Sequence, residues 1–191
     1  MRLPMHRIIP AFLLCCISFA GASAQQRTMN GSAAGLLRQW PKAGPWEVVL
    51  TRANEGDLLC VMLTGHKNAD AGELYLWGFR SRAGAKAVAV ADRNAQAVSG
   101  EAITISVDGI PAGTFPVIRR RSEGGMSSIS SDLEASEFER MSSLLRLGGR
   151  IAFSTSMATY GETLQGAAQA LAFFSQCTAE VEHLTGDRTG R

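Results

Sequence analysis

Short apolar runs dominate this chain, and each is cut off by a cluster of turn-forming residues. That rhythm limits the chain to folds built from many short strands. Trp46–Thr51 (WEVVLT) suits a strand and meets turn chemistry at Glu55-Gly56-Asp57. Leu58–Leu63 is continuously apolar and gives way to the polar loop Gly65–Gly72. Glu73–Phe79 carries large side chains on both faces, and Val88 and Val90 alternate with alanine. Ile103, Ile105 and Val107 alternate with Thr104 and Ser106, and Asp108-Gly109 follows as a hairpin signal. Thr114–Arg119 reads as the return strand, with Pro116 confining it to an edge or a bulge. Met126–Ser130 is a further short strand.

The period then changes. Ser131-Asp132-Leu133-Glu134 fits a capping box with Ser131 as N-cap. Phe138, Met141, Leu144 and Leu145 recur at helical spacing, and Gly148-Gly149 ends that helix by allowing a left-handed residue. Arg150–Thr155 and Thr159–Leu164 return to strand. After Gly166, residues Ala167, Ala170, Leu171, Phe174, Cys177 and Val181 lie on one helical stripe. Without regular βαβ alternation, the expected fold is mainly β. It is an antiparallel β-sandwich or partial barrel with one inserted helix and a C-terminal helix packed on it.

The first 24 residues have the order of a secretory signal peptide. A basic start (Arg2, His6, Arg7) precedes the apolar run Ile8–Ala20, and Ala22-Ser23-Ala24 is a small-x-small cleavage site. The run is shorter than the about 20 residues a membrane span needs, and Pro10 interrupts it. Residues 25–43 are then a flexible lead-in, in which Leu36, Leu37 and Trp40 can dock; 44–184 form one β-rich domain; and 185–191 form a disordered tail. No later segment is a transmembrane span. The location expected is the periplasm or the exterior.

Cleavage changes both charge and cysteine content. The chain has 19 Lys and Arg against 17 Asp and Glu, and losing Arg2 and Arg7 leaves 17 of each sign. A near-neutral domain gives no electrostatic reason to expect nucleic acid as a partner. Of the 4 cysteines, Cys60 and Cys177 remain. An even pair in an exported protein suggests a disulfide, the alternative being two buried free thiols.

Candidate chemistry is sparse. The two histidines after the leader, His66 and His183, lie far apart in sequence, and His66 has Asp70 nearby. Ser127, Ser128, Ser130 and Ser131 offer hydroxyls but sit in no nucleophile motif. Asp92, Asp108, Glu134 and Glu137 are the obvious carboxylates, with Asp108 explained by its turn and Glu134 by its cap. Neither a catalytic residue nor a cofactor or metal site is expected. Arg119-Arg120-Arg121 is the densest charge run, with Arg80 and Arg82 elsewhere. It is a candidate interaction patch for an acidic partner, or else a soluble strand edge that discourages aggregation. Tyr75 and Trp77 could line a ligand slot, although core packing explains them better.

Several of these segments, in their order along the chain, resemble the invasion-associated locus B family of small exported bacterial proteins. Trp46-Glu47-Val48 is similar to its opening Trp-centred strand and Cys60-Val61-Met62 to its cysteine-bearing second strand. Ile103–Gly109 resembles its strand and turn, Phe138–Phe153 its helix, glycine turn and strand, and Tyr160–Phe174 its closing strand and helix. The cysteines the family carries soon after the Trp and in mid-chain are missing, so Cys60 needs a different partner. The resemblance implies a mostly β periplasmic or surface protein engaged with another protein or an envelope component, without catalytic residues. A small apolar-ligand carrier and a hydrolase assembled only in the fold are the alternative functions.

Overall fold

The computed structural model describes residues 35–52, 57–68, 73–82, 84–94, 98–123 and 125–186; the expected signal peptide, Asp70 and residues 187–191 lie outside them. Among the described residues eleven strands make two antiparallel sheets. The larger sheet contains β1 (Gly35–Gln39), β2 (Glu47–Arg52), β3 (Leu58–Asn68), β4 (Glu73–Arg82), β5 (Ala85–Asp92), β8 (Arg119–Glu123) and β9 (Met126–Leu133), in the order β1-β2-β3-β4-β5-β9-β8. The smaller contains β6 (Ala102–Val107), β7 (Ile110–Pro116), β10 (Arg150–Ser154) and β11 (Thr159–Thr163), in the order β11-β10-β6-β7. Helix α1 (Ala135–Leu147) joins β9 to β10, and α2 (Ala167–Gly186) closes the chain. The architecture is a β-sandwich with two packed helices, as the patterning predicts.

The alternation in each strand decides what enters the core. Val48, Leu50, Cys60, Met62, Trp77, Phe79, Val88, Val90 and Ile129 face inward from the large sheet. They meet Ile103, Ile105, Val107, Ile151 and Phe153 of the small sheet and the α2 stripe Ala167, Ala170, Leu171, Phe174, Cys177 and Val181. Burying each valine, leucine, isoleucine, methionine or phenylalanine among them contributes about 1.5–3 kcal/mol. Val49, Leu59 and Val61 form a second apolar cluster on the opposite face of β2 and β3.

Local details differ from the sequence reading at four points. Part of the expected lead-in belongs to the fold: β1 pairs with β2, and Trp40 is buried and donates its indole N–H to Gln176 of α2 at 3.2 Å. Ser131 is not a helix cap but a buried residue of β9. The cap is Glu134, whose N–H donates to the Glu137 carboxylate at 2.8 Å, so the box lies one turn later. Gly148 ends α1 in an extended conformation, not a left-handed one. Glycine is needed there for space, because a Cβ would lie 2.3 Å from Cγ1 of Val107. The strand expected over Thr114–Arg119 is also divided. β7 ends at Pro116 in the small sheet, and the chain crosses so that Arg119 opens β8 in the large one.

The hairpin signal holds. Asp108 (φ 50°) and Gly109 (φ 79°) both take the left-handed conformation between β6 and β7. The Asp108 carboxylate does more than make the turn. It accepts the N–H groups of Gly149, at 2.9 Å, and Arg150, at 2.8 Å, which fixes the α1–β10 junction against the hairpin. Those backbone hydrogen bonds favour the ionised form and hold its pKa below the usual carboxylate value.

Candidate interaction face

The outward face of the large sheet is set by strand parity. In β8, Arg120 pairs with Ile129, a core residue, so it points inward; Arg119 and Arg121 point outward with their partners Ser130 and Ser128. Arg120 is used structurally, donating to the carbonyls of Ser99 and Gly100 at 3.1 and 2.7 Å. The arginine run is thus split between a brace at the sheet edge and an outward pair. Arg80 and Arg82 of β4 share the outward face, because Phe79 and Ser81, which alternate with them, are buried on the inner side.

Between β4 and β8 lie β5 and β9, and their outward residues are small: Ala87 and Ala89 on β5, Ser128 and Ser130 on β9. Three inter-strand steps separate the β4 and β8 backbones, about 14 Å. Because the intervening side chains are short, Arg80 can lie flat across β5. Its guanidinium donates to Oγ of Ser130 at 2.7 Å. Ser130 is the register partner of Arg119, so the heads of Arg80 and Arg119 converge over β9, with Arg121 one outward step along.

Carboxylates partner two of these arginines. Asp132 accepts both guanidinium nitrogens of Arg119, at 2.6 and 3.1 Å, and Asp57 pairs with Arg82. Arg80 has its pKa lowered, first by burial and then by the positive charges of Arg119 and Arg121, with Asp132 acting in the opposite sense. Arg119 is held above the ordinary value, chiefly by its hydrogen bond to Asp132.

The other candidates resolve differently. Cys60 and Cys177 form a disulfide with S–S 2.03 Å, closing a sequence separation of 117 residues and pinning α2 to β3. Trp77 is fully buried, edge-on to Trp46 at 5.0 Å and against Phe153 at 3.8 Å, so the slot position beside it is occupied by core aromatics. His183 is exposed near the end of α2, and His66 sits in β3 opposite Tyr75, its side chain outside the described ones. Among the described residues no group of three or more His, Cys, Asp or Glu side chains is placed to hold a metal ion. Among them, too, no helix is long and apolar enough to cross a membrane.

Sequence reasoning missed one cluster. Tyr75 and Tyr160 stack with centroids 4.6 Å apart; Tyr75 donates to Glu162 at 2.5 Å and Tyr160 to Asp92 at 2.6 Å. The four residues latch β4 and β5 of one sheet to β11 of the other. No local pattern marks the latch, because its members are brought together only by the packing of the two sheets. Burial, then the carboxylate partners, raises both phenol pKa values. The signal is clean because these are the chain's 2 tyrosines. Native protein titrated at 295 nm is expected to show no phenolate where free tyrosine ionises, about pH 10, and urea-unfolded protein to show both. A raised native pKa stabilises the fold below the unfolded value, so stability falls as pH climbs above about 10. A native titration with either tyrosine ionising normally contradicts the latch.

No family model matches the chain, and no curated protein matches it. Among solved structures, the crystal structure of invasion associated protein b from Bartonella henselae superposes with a TM-score of 0.50 at 12% identity. The two share a fold. The match covers 75% of this chain and 99% of the Bartonella chain. At that identity the likeness concerns architecture alone, and the basic face described above is a property of this chain's own residues.

Proposed function

We propose that this chain is an exported, non-enzymatic interaction module, a distant member of the invasion-associated locus B family, that works through contacts with the cell envelope. The observation that carries the reading is the outward pairing of Arg119 and Arg121 with Arg80 and Arg82 on one rigid sheet face. A sheet held by a sandwich core and a disulfide presents these charges on a backbone that needs no ordering on binding. The disulfide is in keeping with an oxidising compartment, and the leader-like start at 1–24 with export.

The test combines processing with contact. Protein recovered from an oxidising compartment should have an intact mass beginning at Gln25 and two hydrogens lighter than the reduced chain. It should co-sediment with washed bacterial envelopes, and Arg119→Glu with Arg121→Glu should abolish that association while leaving the melting temperature within a few degrees. A retained leader, or envelope association indifferent to the charge reversal, sinks the reading.

A further inference from the structure

The tyrosine latch holds more chemistry than a contact between two sheets requires. The rings of Tyr75 and Tyr160 lie 4.6 Å apart between centroids, their planes inclined by 42°. At that separation the two rings are in direct contact. Each hydroxyl donates to a carboxylate of its own, Tyr75 to Glu162 at 2.5 Å and Tyr160 to Asp92 at 2.6 Å.

This pairing favours loss of an electron from the rings. A phenol is oxidised readily only when its proton leaves with the electron, because the cation radical formed otherwise is a very strong acid. The proton therefore needs a base within hydrogen-bond reach. Both phenols have one. Burial and the same carboxylates keep both protonated at neutral pH, so each has a proton to transfer. Position favours the pair as well. Of the chain's 2 tyrosines and 3 tryptophans, Tyr75 is the most exposed. It is half-buried, whereas Tyr160, Trp40, Trp46 and Trp77 are each 8% exposed or less. An oxidant at the surface meets Tyr75 first, and Tyr160 is the ring against it.

We propose that Tyr75 and Tyr160 are an oxidative crosslinking site, at which a one-electron oxidant joins β4 to β11 through a carbon–carbon bond between the rings. Two equivalents of oxidant each take one electron. The phenolic protons pass to Glu162 and Asp92, leaving two phenoxyl radicals. These couple at ring carbons ortho to oxygen, and the hydrogen on each coupled carbon moves to the oxygen of the same ring as aromaticity returns. The product is a biphenol two hydrogens lighter than the original pair, the two protons leaving through the carboxylates to water. It ties one sheet to the other, where the disulfide ties β3 to α2.

Irradiating dilute, disulfide-bonded protein with tris(bipyridine)ruthenium(II) and persulfate generates ruthenium(III), a one-electron oxidant, and tests the proposal. The expected product is a monomer with biphenol fluorescence, whose digest contains one crosslinked peptide pair carrying Tyr75 and Tyr160. Radicals held in contact couple in a unimolecular step, so the yield within one chain should exceed that of urea-unfolded protein by about tenfold or more. Tyr160→Phe should remove the bridge. Asp92→Asn keeps an acceptor for the Tyr160 hydroxyl but removes the base, and should lower the yield several-fold with the circular dichroism unchanged. Three results overturn the site: bridging as efficient in unfolded chains, tyrosine-linked dimers in place of the monomeric product, or native tyrosines left intact by a dose that links unfolded ones. An Asp92→Asn yield equal to wild type overturns the role of the carboxylate as proton acceptor.

Discussion

Cys177→Ala is expected to lower the unfolding free energy of the oxidised protein by about 4–5 kcal/mol. The bridge closes a loop of 117 residues, and loop-closure entropy for a loop of that length is worth about that much. Both cysteines are fully buried, Cys60 in the apolar face of β3 and Cys177 in the stripe of α2. The variant therefore keeps the surrounding packing nearly intact and loses chiefly the restraint on the unfolded chain. Urea denaturation with and without reductant measures it. Wild-type protein under reductant should fall to nearly the stability of the variant, whose own midpoint should not move. A loss under 1 kcal/mol in both measurements would mean that the denatured chain stays compact enough for the crosslink to remove little freedom.

The second large effect is expected at Trp77. Its ring lies against Phe153, edge-on to Trp46 and Phe79, at the centre of the aromatic contact between the two sheets. Trp77→Ala opens a cavity there and should cost about 3–5 kcal/mol. Trp77→Phe separates packing from polarity. The indole N–H of Trp77 finds no hydrogen-bond partner among the described residues, and neither do that of Trp46 or the hydroxyl of Thr64. Thr64 is the register partner of Trp77, and continuing the β2–β3 pairing places Trp46 beside Thr64, so the three residues are neighbours across the sheet. Phenylalanine removes an unsatisfied donor along with part of the ring, so its cost should be well under half that of alanine. Thermal and urea unfolding of the two variants check this. Equal costs would mean that the Trp77 indole nitrogen carries a stabilising hydrogen bond, such as one to buried water.

The strand rhythm was legible in sequence because burial of alternate residues leaves a period of two. Ile103, Ile105 and Val107 announced β6, Asp108-Gly109 announced its hairpin, and the stripe through Cys177 announced α2. Local signals failed where a distant neighbour decided the outcome. Ser131 had the right residue type for a cap, but its pairing with Val88 keeps it in the sheet until Glu134. Gly148-Gly149 looked like a conformational device, whereas crowding by Val107, far away in sequence, explains Gly148. Pro116 signalled an edge or a bulge within one strand, but nothing local says that the strand ends there and the next residues change sheets.

The candidate site divides in the same way. Sequence by itself determined the strand-rich class, the candidate pairing of Cys60 with Cys177 and the alternation that sends Arg119 and Arg121 to one side and Arg120 to the other. It did so because side-chain direction in a strand depends only on position along the chain. Only the tertiary structure decided that Arg80 reaches Ser130 beside Arg119, that Tyr75 stacks on Tyr160 and that Cys60 meets Cys177. Those neighbours come from the order of strands in the sheets and the packing of one sheet and α2 on the other. That order is chosen by burial of the whole core, a sum over residues distant in sequence that no local window contains.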